Sequence, residues 1–430
     1  YPAVSTPDEK KPASLRVPGN ASVSEAMDVQ SIGAYNIPDG ARQVRVWGNY
    51  AYIIDGNIDG DMELQAIDVS NPFSPRHTDT IWISHPMISS SLANHLEISG
   101  RYAYVANGYG FRVIDISDPA DLKDVGGFEE AASGSILEVK GSYVLLPASL
   151  NKEMYIVDVS NPAVPVKIGS YDPQKITFLW QIEISGHYAY LYGYNESFEI
   201  IDILSPGTPV FAGSFNCCGN INQEDVTYHV NGKYMYITVL SHLAQYYSNY
   251  FRVYNISNPQ AVQEVGNYEI PANSDIVVGI DASDPYVFCA QGNSGVRVVN
   301  AAVPASPIEV GVFNLPGNAY DIVASGGYLY VADLSTGLKI FKMASSPTVK
   351  ITNLESGQYV GGSVDVQVQA YRGSDCIGKV EFYADGQKLD ESGYSTCTFH
   401  WNSIPYPDGN HSLSVIAYDT ANRTAAYEIY

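Results

Sequence analysis

The chain has 430 residues, and its 37 Gly, 24 Pro and 34 Tyr against only 23 Lys plus Arg describe a turn-rich all-β protein rather than a helical one. A formal net charge of −23 repels phosphate backbones and anionic lipid, which disfavours nucleic acid and membrane surfaces as partners and leaves cations, neutral glycans and proteins. No run of about 18 or more apolar residues is present, so no membrane insertion is expected.

Residues 1–27 mix Pro, Ser and charge without a period and read as an N-terminal arm or linker. The first residue is Tyr1 rather than Met, which fits a mature chain whose export signal has been removed. Residues 29–38, VQSIGAYNIP, form the first strand, and they resemble the last strand of a later unit, VQEVGNYEIP from Val262. A repeat then starts seven times, at Tyr50, Tyr102, Tyr143, Tyr188, Tyr234, Tyr286 and Tyr328. A period of about 45 residues with four strands per unit is the signature of a β-propeller. Each of the first six units ends its third strand in an Asx-Pro turn of the kind Asp115-Ile116-Ser117-Asp118-Pro119, where side chains bond the turn backbone and Pro presets φ. The seventh unit has no fourth strand of its own. The spare strand at 29–38 is therefore expected to complete it and close the ring. From residue 347 onward the pattern becomes that of alternating sandwich strands. The expected organisation is an arm at 1–27, a seven-bladed propeller at 28–346 and an immunoglobulin-like β-sandwich at 347–430.

The units GRYAYVANGYGFRVIDISDP and GGYLYVADLSTGLKIF resemble LVIVD-type β-propeller repeats of exported surface proteins. The segments KVEFYADGQKL and DGNHSLSVIAYDTANRT resemble bacterial immunoglobulin-like modules attached to secreted enzymes and adhesins. The resemblance implies an extracytoplasmic address and a binding or structural role, with no catalytic residue set. Two departures stand out, Asp284-Pro285 where other units have Gly and a following residue, and an insertion at 241–249.

Two constellations carry chemistry. Asp55, Asn57, Asp59, Asp61 and Glu63 space oxygen ligands around Gly-permitted turns as a Ca²⁺ ion requires, and the alternative is an acidic hairpin tip. Aligning the units on the anchor Tyr places Arg45, Glu97, Glu138, Glu183, His229, Asp281 and Val323 at one position of the innermost strand. With apolar neighbours on both sides, alternation turns this set toward the central channel, as a collar for a cation or water column or as a solvated lining. Trp47, Trp82 and Trp180 fall in or near strands and are expected in the core rather than as sugar platforms. His187-Tyr188, Tyr228-His229 and Tyr246, Tyr247 and Tyr250 supply lyase-type side chains, but repeat packing also calls for them.

Cys376 and Cys397 are positioned to staple the sandwich, whereas Cys217 and Cys218 compete for Cys289 or stay free. Sequons begin at Asn20, Asn195, Asn255, Asn410 and Asn422 and suit a secreted glycoprotein. The reading is an extracellular, non-enzymatic structural or binding protein that assembles with copies of itself, or with other surface proteins or glycans. Its arm and sandwich would join copies into a filament, sheath or surface layer, with Ca²⁺ as the one candidate cofactor. The alternative is a polysaccharide lyase or glycosidase on a propeller scaffold.

Overall fold

The computed structural model describes residues 28–55, 62–83, 95–130, 136–148, 153–176, 179–193, 197–217, 224–243, 246–271, 275–344, 347–371, 376–420 and 422–430. Every regular element among them is a β-strand. Seven four-stranded antiparallel sheets form the propeller. The second strands begin at Tyr50, Tyr102, Tyr143, Tyr188, Tyr234, Tyr286 and Tyr328, the positions that the sequence period marks. Each innermost strand lies against those of the blades before and after it, and the innermost strand of blade 7, Ala319–Ser325, lies against that of blade 1, Ala41–Trp47. The ring is closed.

The closure is made by the N-terminal strand Asp28–Tyr35, which pairs antiparallel with Gly337–Ala344 as the fourth strand of blade 7. It carries the local geometry of the other outer strands. Its register shifts between Ser31 and Gly33, as those of blades 2 and 5 shift at Val113/Ile114 and Val253/Tyr254. The Gly after each bulge lets two blades touch backbone to backbone. A Cβ on Gly126 would stand 2.3 Å from the Pro162 carbonyl oxygen of blade 3, and a Cβ on Gly33 would stand 1.9 Å from the Pro72 oxygen of blade 1. Blade 1 has Asp79 instead, whose carboxylate accepts the Leu122 N–H of blade 2 at 2.7 Å.

The core lies between the blades. Tyr104, Phe111 and Phe128 of blade 2 pack on Leu137, Val144 and Tyr155 of blade 3, and Val44 and Ile53 of blade 1 pack on Tyr330 and Ile340 of blade 7. The middle strands are covered on both faces, which is why Tyr50–Asp55 and its counterparts read as continuous apolar runs. The Asx turns form as expected: Asp68, Asp115, Asp158, Asp202, Asn255 and Asn300 each accept the N–H two residues on, at 2.7–3.0 Å. The insertion lengthens a hairpin, since its segment extends the strands Tyr234–Leu243 and Tyr246–Asn255 of blade 5. At the other departure the Asp284-Pro285 peptide is cis.

In the C-terminal region the strands Thr348–Ile351, Ser363–Tyr371 and Thr396–Asn402 form one sheet. The second sheet contains Gln387–Ser392, Ile377–Ala384, Leu413–Asp419 and Thr424–Ile429. Their shared core holds Val366, Val368, Phe382, Phe399, Trp401 and Val415, with Phe382 and Phe399 stacked at 5.3 Å. The expected Cys376–Cys397 bridge is absent, and both residues are free thiols. Cys376 is exposed just before Ile377–Ala384, whereas Cys397 is half-buried in the opposite sheet, facing Val368 in register. A bridge would need their Cβ atoms to meet at about 3.8 Å. Cys289 is a free, buried thiol in the propeller, while Cys217 is disulfide-bonded.

Candidate functional site

The seven innermost strands surround a channel of about 630 Å³. Arg45, Glu97, Glu138, Glu183, His229, Asp281 and Val323 all line it, so alternation places the collar where the sequence puts it. Two residues earlier on each strand lies a second tier, which includes Gln43, His95, Gln181, Thr227 and Asp321.

The collar's charges are spent on one another. Arg45 donates to Glu97 at 2.7 Å and to Asp321 at 2.9 Å, joining blades 1, 2 and 7. His229 lies 3.5 Å from both Glu183 and Asp281, joining blades 4, 5 and 6. The acids also bind backbone. An innermost strand has no further strand to receive its channel-side N–H groups, and an acceptor on the preceding blade supplies the missing partner. Glu183 accepts the Val230 N–H at 2.6 Å, Asp281 that of Ala324 at 2.7 Å, and Asp321 that of Val44 at 3.1 Å. Gln43 accepts the Leu96 N–H at 2.6 Å, and Gln181 bonds both backbone groups of Tyr228. The collar is thus a set of inter-blade staples.

Ionisation follows from this arrangement. Burial, aided by the charges of Glu97 and Glu183, raises the Glu138 carboxyl well above its ordinary value. Burial opposes a charge on His229, yet Glu183 and Asp281 outweigh it and raise the imidazole to about 9. Burial and the neighbouring Arg45 push His95 down to about 3, leaving it neutral. Among the described residues no three His, Cys, Asp or Glu side chains group as metal ligands, and two cations, Arg45 and His229, sit within the ring itself.

Sequence reasoning missed Asp321, because alignment on the anchor Tyr selects Val323 in the seventh unit. It also missed three bulges. The innermost strands of blades 1, 4 and 7 each carry an extra residue near their start, between Ala41 and Gln43, Leu179 and Gln181, and Ala319 and Asp321. The extra residues are Arg42, Trp180 and Tyr320, and all three line the channel. The tryptophan expectation is likewise corrected: Trp47, Trp82 and Trp180 are 49%, 60% and 49% exposed, because strand ends project beyond the inter-blade seam. Only Trp401 is buried.

The remaining candidates do not converge. Of the calcium loop, Asp55 and Glu63 are described, with the Asp55 carboxylate accepting the Glu63 N–H at 3.3 Å, whereas Asn57, Asp59 and Asp61 lie outside the described residues. Asp55 is buried at the start of its hairpin, as Asp333 is in blade 7, where that carboxylate accepts the Ser335 and Thr336 N–H groups. His187 lies tilted against Tyr188, with ring centroids 4.1 Å apart, and is exposed. The Tyr228 hydroxyl donates to the Tyr190 carbonyl at 2.5 Å, away from His229. Tyr250 lies under the Arg252 guanidinium at 5.3 Å, and the side chains of Tyr246 and Tyr247 lie outside the described residues. Asn410 and Asn422 are exposed, Asn255 is half-buried, and Asn20 and Asn195 lie outside the described residues.

Sheet order, inter-blade cores and an axis whose charges pair across blades define a closed seven-bladed β-propeller followed by an immunoglobulin-like sandwich. Residues 39–79, 92–129, 135–173, 179–217 and 316–348 match the LVIVD repeat, and residues 347–415 match the bacterial Ig domain. The chain thus carries five LVIVD repeats in its propeller and a bacterial Ig-like domain in its C-terminal region. Blades 5 and 6, outside those repeat matches, carry the lengthened hairpin and the cis peptide. No curated protein matches the chain. Among solved structures it is similar to the computationally designed Ika8 protein and to BamB from Moraxella catarrhalis. Both have 10% identity and a TM-score of 0.48, over 73% of this chain and 99% and 100% of theirs, respectively.

Proposed function

We propose that this chain is an extracellular or cell-surface protein that works by binding rather than by catalysis. The observation that carries the reading is the axis: its acids and its charged His, the residues a propeller enzyme would use for acid–base work, hold neighbouring blades together. Function then falls to the mouth of the channel and to the outer surfaces of a rigid disc.

Assembly with copies of itself is the mode this reading favours, through the arm at 1–27 and the sandwich, into a filament, sheath or surface layer. An apolar rim supports it. Val164 and Val166 of blade 3 and Leu204, Val210 and Phe211 of blade 4 are all exposed, and the two blades touch where Gly169 approaches Pro206. Calcium belongs to the proposal at the loop between Asp55 and Glu63. The test is electron microscopy of native material beside protein lacking residues 1–27, together with protease shaving of intact source cells. Filaments or sheets that disappear with the arm, on a chain accessible from outside, support the reading. Single particles in both samples would remove assembly, and a chain protected in intact cells would remove the surface address.

A further inference from the structure

The three bulged residues stand in a particular relation around the ring. Blades 7 and 1 are neighbours, and blade 4 is three steps from each, so it faces their junction across the channel. Arg42 and Tyr320 meet at that junction, with the guanidinium carbon 6.0 Å from the ring centroid, and Trp180 stands on the opposite wall. A bulge re-aims one side chain without disturbing the strand beyond it. Here three bulges turn one cation and two aromatic rings into the same opening, at the ends of the innermost strands where the connections between blades enter.

What lies between these walls is polar and underused. The Arg42 Nε and the His95 Nδ1 are buried and have no hydrogen-bond partner. Three cations line the channel, Arg42, Arg45 and His229, against five carboxyl groups, those of Glu97, Glu138, Glu183, Asp281 and Asp321. The lining interleaves both signs at close range, with a small acidic excess, whereas the chain as a whole carries −23. A strongly charged ligand gains little from such a lining. A neutral molecule with an apolar face and several hydroxyls suits it: its C–H face covers an aromatic ring, and its hydroxyls both donate and accept. A channel of about 630 Å³ has room for it.

We infer that the channel mouth binds a neutral sugar residue, held between Trp180 on one wall and Tyr320 with Arg42 on the other. The hydroxyls take up the idle groups of Arg42 and His95. The collar beneath closes the site as a floor and takes no part in chemistry. This inference deepens the binding reading given above by assigning it a ligand class.

Saturation-transfer NMR on the full chain tests it, with glucose, galactose, mannose, N-acetylglucosamine and cellobiose as neutral probes and glucuronate and glucosamine as charged ones. At least one neutral probe gives a saturable signal, Trp180→Ala weakens it by about tenfold or more, and both charged probes bind more weakly than their neutral parent. Arg42→Lys, which keeps the charge and loses the planar contact, also weakens it. Circular dichroism and a melt on each variant confirm that it is folded. Silence from every neutral probe, preference for a charged one, or full affinity in folded Trp180→Ala overturns the inference. None of these results bears on surface exposure or assembly, which the shaving and microscopy read independently.

Discussion

Gly33→Ala tests the closure through a single methyl group. The added carbon would lie 1.9 Å from the Pro72 oxygen and 3.1 Å from its carbonyl carbon, whereas ordinary contact begins at 3.4 Å. Both obstacles are backbone, so no side chain can swing aside. Either the closing strand or the blade 1 turn must retreat by roughly 1.5 Å, a typical overpacking displacement that costs about 1–3 kcal/mol. With an unfolding entropy of about 2.1 cal/mol/K per residue over a propeller of roughly 300 residues, 2 kcal/mol lowers the melting temperature by about 3 °C. Gly213→Ala meets the Pro259 oxygen at the same 1.9 Å inside the ring and should cost a similar amount. Gly207→Ala is the control: its Cβ would meet only the Ile168 oxygen at 3.5 Å, so it should be neutral or slightly stabilising. The assay is differential scanning calorimetry, with limited proteolysis to detect release of the first strand in Gly33→Ala alone. A Gly33→Ala melt equal to that of Gly207→Ala would refute the backbone-contact account of closure.

Further outcomes follow from the same geometry. His229 is raised from about 6.5 to about 9, so its stabilisation is complete below pH 6.5 and is lost as pH rises through 9; denaturant titrations should show a decline on the order of 3 kcal/mol across that window. His229→Gln should flatten this segment, and a decline of equal size in the variant would assign it to other groups. Glu138 acts in the same direction at lower pH, because a carboxyl raised in the fold disfavours folding once the unfolded chain has ionised. Without reductant, Cys376 and Cys397 should both take up iodoacetamide in the native protein, and Cys289 only after denaturation; protection of the first two would restore a bridge. Added calcium should raise the melting temperature of the wild type and not of Asp55→Ala, and a rise of equal size in both would dismiss an ion at that loop.

Much of the propeller was legible because its constraints are local. Tyr anchors and Asx-Pro turns recur along the chain, and the homeless strand at 29–38 could only belong to the unit that lacks one. The channel-facing position was legible too, since alternation decides which side chains leave the inter-blade core. What those side chains do to one another was not. Arg45 meets Asp321 across a sequence separation of 276 residues, a pairing that exists only once the ring is closed. One extra residue was enough to hide the mouth: Arg42, Trp180 and Tyr320 break the alternation by which the strands are read. For the tryptophans, membership in a strand gave no measure of how far the seam between blades covers its ends. The sandwich thiols show the same limit, because spacing along the chain says nothing about which sheet each one enters.

The claim that the axial charges serve architecture rather than chemistry is tested most directly by the calorimetric melt of Arg45→Met. Removing the guanidinium leaves Glu97 and Asp321 facing one another without their cation, which costs about 3 kcal/mol for a buried pair broken on one side. By the entropy scale used for Gly33→Ala, that cost lowers the melting temperature by roughly 4–5 °C. A drop of that size is the predicted result, and an unchanged melting temperature would contradict it and return the collar to the list of sites available for a ligand.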